Sequence, residues 1–231
     1  MSEFAEIELS LALAAAAKRC AAAGPLQASR QLALGMIAQE GLARPVFCYR
    51  AAKLQGVRGD LLELGQTELS APGMAATSSR LSAVTALVCT LGPALEARVS
   101  GLCAKRSISL ALALDELGNA MLMYTARRAV LAVRKECRSQ GLTTGDTLTP
   151  GGSGLPLAQQ GAVLQLAGGD RLGVSVTEQG MLWPVKSRSL IVGMGAGLSP
   201  QPSRKRCQQC SSGGHCRYRL HPKAGGKLCP N

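Results

Sequence analysis

The densest group of potential metal ligands lies near the C-terminus. In the stretch CQQCSSGGHCRYR, three cysteines and a histidine fall within ten positions, from Cys207 to Cys216. A zinc knuckle has the spacing C-x2-C-x4-H-x4-C, and Cys207, Cys210 and His215 fit its first three places. The fourth place is occupied by Leu220. The knuckle is therefore broken, which removes the main reason to predict a nucleic-acid-binding module.

Cysteines alone could still form a metal site in this tail. Cys207, Cys210, Cys216 and Cys229 provide four thiolates if Cys229 folds back. Four thiolates suit zinc or an iron-sulfur cluster, since both accept tetrahedral sulfur ligands. The spacing is similar to neither ferredoxin pattern, so zinc, an iron-sulfur cluster and free thiols on a tail all stay open.

The other potentially reactive side chains point to no second site. Five further cysteines are scattered through apolar or helical stretches, where a reduced cysteine behaves as a small hydrophobic residue. They are Cys20, Cys48, Cys89, Cys103 and Cys137. Both histidines, His215 and His221, lie in the tail. We therefore expect no Ser-His-Asp hydrolase chemistry in the folded part of the chain.

The formal charge of +12 is distributed unevenly. No Asp or Glu follows Glu178, whereas nine basic residues do: Lys186, Arg188, Arg204, Lys205, Arg206, Arg217, Arg219, Lys223 and Lys227. A basic tail favours polyanions such as nucleic acid, an acidic partner protein or a phosphate-bearing cofactor. A solvated tail without a dedicated partner is the alternative.

Length and composition predict a folded protein in a reducing compartment. The 231 residues are 46% hydrophobic but only 3% aromatic, so the core must consist of Leu, Ala, Val and Met. No window approaches the roughly 18 consecutive apolar residues of a membrane span. Acidic residues, and no basic leader, precede the Ala-rich run at 9–17. We expect a cytoplasmic protein with no signal peptide and no membrane partner.

Three stretches have helical patterns. Residues 1–44 contain two helices divided at Gly24-Pro25, and residues 94–137 form a helix in two pieces joined near Arg106-Ser107. A third helix covers 156–167 and ends at Gly168-Gly169. Asp115 lies within the second stretch, and we expect it to be a solvated helix residue unless it interacts with a partner group.

Strands are predicted at 83–92, 171–177 and 187–192, whereas 45–80 gives no firm assignment. Helices with a few strands and no strict βα alternation predict a single α+β domain. Between the last two strands lie Glu178 and Trp183, the only tryptophan. We expect Trp183 to be a buried core residue more than a ligand platform, and Glu178 to form at most a surface ion pair with Lys186.

A glycine-rich loop precedes the third helix. Gly151, Gly152 and Gly154 permit close backbone approach and positive φ angles. The loop matches neither the Walker motif nor the dinucleotide fingerprint. It is either a cradle for an anion or, as the spacing alone favours, a plain turn.

Several pieces of the chain, taken in order, resemble one family. They lie at 88–92 (VCTLG), 114–115 (LD), 148–157 (LTPGGSGLPL), 172–178 (LGVSVTE) and 181–187 (MLWPVKS). The family is the activation, or reactivation, domain of cobalamin-dependent methionine synthase, and particularly its short stand-alone relatives. The resemblance extends from about residue 80 to 198 and is specific because ordinary motifs recur in the right order.

The resemblance implies a fold and a function. The fold would be one α+β domain around a bent antiparallel sheet. Domains of this family bind S-adenosylmethionine and cover the cobalamin of the catalytic core. Inactive cob(II)alamin is then reduced by an external electron donor such as flavodoxin and methylated from S-adenosylmethionine. This chain would be an accessory in the reactivation of a cobalamin or corrinoid protein. If it has activity, it would be a methionine synthase-type methyltransferase.

The resemblance also implies the ligand-binding residues. The family's loop has the pattern Arg-x-x-Pro-Gly-Tyr, which Pro150 and Gly151 match, whereas Thr147 is at the arginine position and Gly152 at the tyrosine position. Losing that guanidinium removes about 1.5 to 3 kcal/mol of charged hydrogen bonding to a ligand carboxylate. The implied S-adenosylmethionine-binding residues are Thr147, Pro150, Gly151, Gly152, Glu178, Trp183, Pro184 and Ser187.

These observations predict three portions of the chain. Residues 1–80 are an N-terminal helical portion of the same domain, 81–198 the activation-like core, and 199–231 the basic Cys-rich tail. An iron-sulfur centre there would suit one-electron delivery to cob(II)alamin. The alternative function is a metal-binding interaction module whose tail binds an acidic partner or nucleic acid, although the broken knuckle argues against nucleic acid.

Overall fold

The computed structural model describes residues 2–21 and 25–200. The helices are α1 (Leu9–Arg19), α2 (Gln27–Glu40), α3 (Pro72–Ala75), α4 (Ala94–Ala104), α5 (Ile108–Ser139) and α6 (Gln160–Ala167). The strands are β1 (Ser2–Glu6), β2 (Val46–Lys53), β3 (Gly56–Arg58), β4 (Leu61–Leu64), β5 (Thr67–Ser70), β6 (Ala83–Thr90), β7 (Thr143–Leu148), β8 (Ser175–Val176), β9 (Leu182–Trp183) and β10 (Ser187–Gly195).

A five-stranded antiparallel sheet with the order β1-β2-β6-β10-β7 forms the centre of the fold. Its middle strand β6 is buried along nearly its whole length, because both faces of the sheet are covered. This is why β6 is continuously apolar in the sequence and does not alternate. β10 is likewise buried after its first two residues, so the start of β10 is the part open to chemistry.

Helices α1, α2, α4 and α5 cover one face of this sheet. The long helix α5 contributes a stripe of fully buried side chains that includes Leu114, Leu117 and Met121. From the sheet, Leu190 and Val192 of β10 enter the same core. We call this the α5 side of the sheet.

The opposite face is covered by smaller elements. Helix α6, the three-stranded sheet β3-β4-β5 and the hairpin β8-β9 pack over Val88 of β6 and Ile191 of β10. Since alternate strand residues point to opposite faces, Ile191 and its neighbour Val192 belong to different cores. We call this the α6 side.

The predicted fold class is confirmed: the chain is a single α+β domain around a bent antiparallel sheet. The break within the second helical stretch is also confirmed, because α4 ends at Ala104, Arg106 takes a positive φ of 58°, and α5 begins at Ile108. The described part of the first 80 residues contains five strands in addition to α1, α2 and α3.

The strand predicted at 171–177 is largely wrong. Residues Gly169–Leu172 form a 3-10 helix that ends at Gly173, whose φ is 68°. A left-handed residue cannot continue a strand, so pairing begins only at Ser175 and lasts two residues. Among the described residues, no helix is long and apolar enough to cross a membrane.

Candidate functional site

The residues implied in ligand binding gather at one end of the main sheet. β7 ends there and β10 begins there, because the two strands are antiparallel with Thr147 opposite Val192 and Leu148 opposite Ile191. The glycine loop leaves the sheet after Leu148, and the β8-β9 hairpin enters β10 at Ser187. Topology therefore brings together two motifs that lie about 30 residues apart in the sequence.

The glycine loop divides into a packed part and an open part. Gly154 has a φ of 87°, accepts a hydrogen bond from the N–H of Gly73 at 3.1 Å, and would place a Cβ 2.9 Å from the Cα of Gly73. Only glycine fits this contact with α3. Gly151 and Gly152 are exposed, whereas Pro150 is buried. The loop is thus a turn anchored at its second half, with its first half open to solvent.

Leu157 connects the loop to the hairpin. A Cβ on Gly151 would lie 3.5 Å from Leu157 Cδ1, and a Cβ on Gly180 would lie 3.5 Å from Leu157 Cγ. Gly180 belongs to the hairpin turn, in which the N–H of Thr177 donates to Met181 at 2.8 Å. Glu178 is exposed in this turn, two residues before Gly180.

Trp183 is exposed, contrary to the prediction that it is a buried core residue. Its side chain is 49% accessible, and the next residue, Pro184, is buried in its place. The Trp183-Pro184 peptide bond is cis. Because Pro184 fills the interior position, the indole projects outward beside two further exposed apolar residues, Met181 and Val185. Met181, Trp183, Val185 and Leu157 form what we call the apolar rim.

Lys186 anchors the hairpin to α5. Its side chain is only 7% exposed, and its Nζ donates to Asp115 Oδ1 at 2.5 Å and to Asn119 Oδ1 at 2.8 Å. Gly118 leaves room first for Leu95 and then for the lysine stem, since a Cβ there would lie 2.9 Å from Leu95 Cδ2 and 3.4 Å from Lys186 Cε. Lys186 therefore pairs with Asp115 and not, as predicted, with Glu178. Asp115 is thus an ion-paired residue and not merely a solvated one.

Two backbone contacts hold the same segment from other directions. The N–H of Val185 donates to Glu96 Oε2 at 2.9 Å, and the carbonyl of Lys186 accepts from the N–H of Leu91 at 2.9 Å. Glu96 lies in the first turn of α4. The chain from Pro184 to Lys186 is thus fixed between α4, α5 and the end of β6.

Ser187 forms a hydrogen bond within the main sheet. Its hydroxyl donates to Thr90 Oγ1 at 2.8 Å, and Thr90 Oγ1 also accepts from the N–H of Gly92 at 3.0 Å. Ser187 points to the α6 side, whereas Thr147, opposite Val192, points to the α5 side. The structure therefore does not bring these two implied ligand-binding residues onto one face.

Sequence reasoning missed Arg188. This half-buried residue lies on the α5 side, where Nη1 contacts Met123 Sδ at 2.9 Å and Nη2 donates to Thr149 Oγ1 at 3.4 Å. The alternation of β10 could have indicated it, because residues 186, 188, 190 and 192 share one side of the strand. It places a guanidinium where the glycine loop begins.

The cysteines near this end of the sheet are not reactive thiols. Burial raises the pKa of Cys89 to about 12, although the nearby positive charge of Arg188 acts in the opposite direction. Burial likewise raises the pKa of Cys48 to about 11. Both thiols stay protonated near neutral pH, as expected for core residues; of the five scattered cysteines, only Cys103 is exposed.

No metal centre is found in the part of the chain that the structure describes: no three or more His, Cys, Asp or Glu side chains there could hold a metal ion. The predicted ligands lie outside the described residues. They are Cys207, Cys210, Cys216 and Cys229.

Comparisons with known proteins agree on the fold alone. No protein-family model matches the sequence, and no curated protein matches it in a sequence search. Among solved structures, the chain is similar to the crystal structure of the MetH reactivation domain bound to AdoHcy, with a TM-score of 0.59 and 16% identity. The similarity covers 90% of this chain and 84% of that chain. The chain therefore has the fold of the MetH reactivation domain.

Proposed function

We propose that this chain is an accessory protein that docks on a cobalamin or corrinoid protein and assists its reductive reactivation, with S-adenosylmethionine as the methyl donor. The observation that carries the proposal is the similarity to the MetH reactivation domain bound to AdoHcy over 90% of the chain. The ordered sequence motifs support it independently, because they fall at the loop and hairpin that meet at one end of the sheet.

The composition of that end fits an S-adenosyl ligand. The glycine loop exposes backbone at Gly151 and Gly152, and Trp183 provides an exposed aromatic face. Among the described residues, Glu178 forms no ion pair, so its carboxylate is available to a cationic sulfonium. The adenine of such a ligand can stack on an indole. The positive charge of its sulfonium favours a nearby carboxylate.

The apolar rim supports the docking part of the proposal. Met181, Trp183, Val185 and Leu157 are all exposed, although they are large apolar side chains. Apolar side chains clustered on a surface are typical of interaction sites. In this proposal the rim contacts the partner protein, and the loop beside it presents the methyl donor.

The rest of the predicted assembly belongs to the same proposal. An external electron donor such as flavodoxin would supply the reducing electron, and the protein would act in the cytoplasm. The tail would hold zinc or an iron-sulfur cluster through Cys207, Cys210, Cys216 and Cys229. A brown protein purified without oxygen would favour the cluster, and zinc in a metal analysis would favour a structural site.

Isothermal titration calorimetry tests the two binding steps separately. The full chain is titrated with S-adenosylmethionine and, in a second cell, with a purified corrinoid protein. We expect measurable heat in both titrations, and weaker docking after Trp183→Ser. Leu32→Ala is the matched control, because Leu32 is an exposed apolar residue of α2 outside the rim. Binding to neither the nucleoside nor the corrinoid protein would refute the proposed function.

A further inference from the structure

Arg188 has an unusual environment for a half-buried cation. Its guanidinium contacts a thioether sulfur, Met123 Sδ, and a hydroxyl, Thr149 Oγ1. Both acceptors are uncharged, and sulfur is a weak one. Within residues 2–21 and 25–200, no carboxylate forms an ion pair with Arg188. Several of its N–H donors are therefore open to an anion.

Two of the other three half-buried arginines in the described part of the chain, Arg30 and Arg98, have a carboxylate partner. Arg30 Nε lies 2.8 Å from Glu116 Oε2, and Arg98 Nε lies 3.0 Å from Glu40 Oε2. Removing a guanidinium from water without a counter-charge is unfavourable, which is why such pairs are common. Arg134 and Arg188 form no ion pair among the described residues, and Arg188 lies at the end of the sheet where the glycine loop begins.

The surroundings of Arg188 define what kind of anion it would take. The planar guanidinium offers two parallel N–H donors, which match the two oxygens of a carboxylate. Thr149 Oγ1 accepts from Arg188 at 3.4 Å, so its own proton is free to donate to the same anion. Lys186, two residues earlier on the same side, is neutralised by Asp115. Arg188 is thus the cation left available there.

We propose that Arg188, assisted by the hydroxyl of Thr149, binds the carboxylate of the amino-acid part of an S-adenosyl ligand. The inference rests on the proposed function. It assigns to β10 the carboxylate recognition that Thr147 at the end of β7 cannot provide with its single hydroxyl. Arg188 Nη2 reaches Thr149, two residues before Gly151, so the guanidinium lies at the start of the loop where the ligand is proposed to bind.

Two nucleosides separate this inference from the proposed function. S-adenosylhomocysteine carries the carboxylate, whereas 5′-methylthioadenosine has the same adenine, ribose and thioether without it. In calorimetric titrations of the full chain, we expect Arg188→Leu to weaken S-adenosylhomocysteine about 10- to 100-fold, as for loss of a charged hydrogen bond. The affinity for 5′-methylthioadenosine should be unchanged.

Two further variants serve as controls. Arg127→Leu removes an exposed arginine of α5 that forms no ion pair among the described residues, and it should alter neither affinity. Arg188→Lys keeps the charge but lacks the planar guanidinium, so it should retain part of the S-adenosylhomocysteine affinity. It also replaces Arg188→Leu as the test if that variant fails to fold.

Each outcome decides the question. If Arg188→Leu weakens both nucleosides equally, or neither, the inference is overturned while the proposed function survives. If Arg188→Leu fails to fold, then Arg188→Lys binding S-adenosylhomocysteine as tightly as the unmodified chain overturns it. If the unmodified chain binds neither nucleoside, the inference fails together with the methyl-donor part of the proposed function, and docking on a corrinoid protein is tested by its own titration.

Discussion

The end of the sheet contains an anchored region and an open region that differ in how their polar groups are used. The anchored region comprises Gly154 against Gly73 and Lys186 with its partners Asp115 and Asn119. The open region comprises the exposed half of the glycine loop, Glu178, the apolar rim and Arg188. In the first, donors, acceptors and charges are matched within the fold. In the second, Glu178 and the exposed loop backbone are left to solvent, and the half-buried Arg188 has only uncharged partners.

This difference shows that one sequence motif can serve two purposes. In the loop, Gly154 is required by packing whereas Gly151 and Gly152 are open; in the hairpin, Pro184 is buried whereas Trp183 is exposed. We therefore expect substitutions in the anchored region to reduce stability, and substitutions in the open region to reduce binding with little change in stability.

The largest effect should come from Gly154→Ala. A Cβ there would lie 2.9 Å from the Cα of Gly73, and the residue has a φ of 87°. Clash and left-handed strain together should lower the free energy of unfolding by about 3 kcal/mol in urea denaturation. Gly35→Ala is the matched control, because nothing lies within 4 Å of a Cβ in that helix position and stability should rise by about 0.5 to 1 kcal/mol. Equal behaviour of the two variants would contradict the packing role of Gly154.

Asp115→Ala should have the next largest effect. The substitution removes the counter-charge of a buried ammonium and leaves Lys186 with only its hydrogen bond to Asn119. We expect the free energy of unfolding to fall by about 2 kcal/mol in urea denaturation. Adding Lys186→Met should recover part of the loss, because no unpaired charge is then buried. An Asp115→Ala variant as stable as the unmodified chain would show that the anchor is not electrostatic.

Alkaline pH should weaken the sheet beneath both regions. Burial raises the pKa of Cys48 to about 11, well above that of an exposed thiol, so the folded state holds its proton where the unfolded state loses it. Stability from this group is fully present below pH 9 and is lost as pH rises towards 11. The loss should be about 1 to 2 kcal/mol. Urea denaturation from pH 8 to about pH 11 should show a shallower decline in Cys48→Ala; identical slopes would contradict this prediction.

The smallest change in stability is expected for Trp183→Ser. Because the indole is 49% exposed and Pro184 holds the interior position, the free energy of unfolding should change by less than about 0.5 kcal/mol. Quenching of the fluorescence of Trp183, the only tryptophan, by iodide in the unmodified chain checks its exposure directly. A large loss of stability, or an indole protected from iodide, would place Trp183 in the anchored region.

Periodicity predicted the long-range frame of the fold. The helical pattern of 94–137 predicted α4 and α5, and the β-branched run at 83–92 predicted the buried strand β6. These signals are strong because burial repeats over many residues. The strands β2 to β5 were missed, since short mixed runs interrupted by glycines carry no clear period, and the edge strands β1 and β7 were not predicted either.

Tertiary contacts decided what the sequence could not. The Lys186–Asp115 pair joins residues 71 positions apart, and nothing local to either residue indicates the other. Composition favoured a buried Trp183, but the neighbouring Pro184 occupies the interior instead. Arg188 was overlooked because only the three-dimensional structure shows that no described carboxylate pairs with it.

The central claim is that this chain assists the reactivation of a corrinoid protein, and absorbance spectroscopy without oxygen tests it most directly. A partner protein holding cob(II)alamin is mixed with a one-electron reductant and S-adenosylmethionine, with and without this chain. We predict that the chain accelerates conversion of the cob(II)alamin spectrum to that of methylcobalamin, and that Trp183→Ser slows it. Identical rates with and without the chain would contradict the claim.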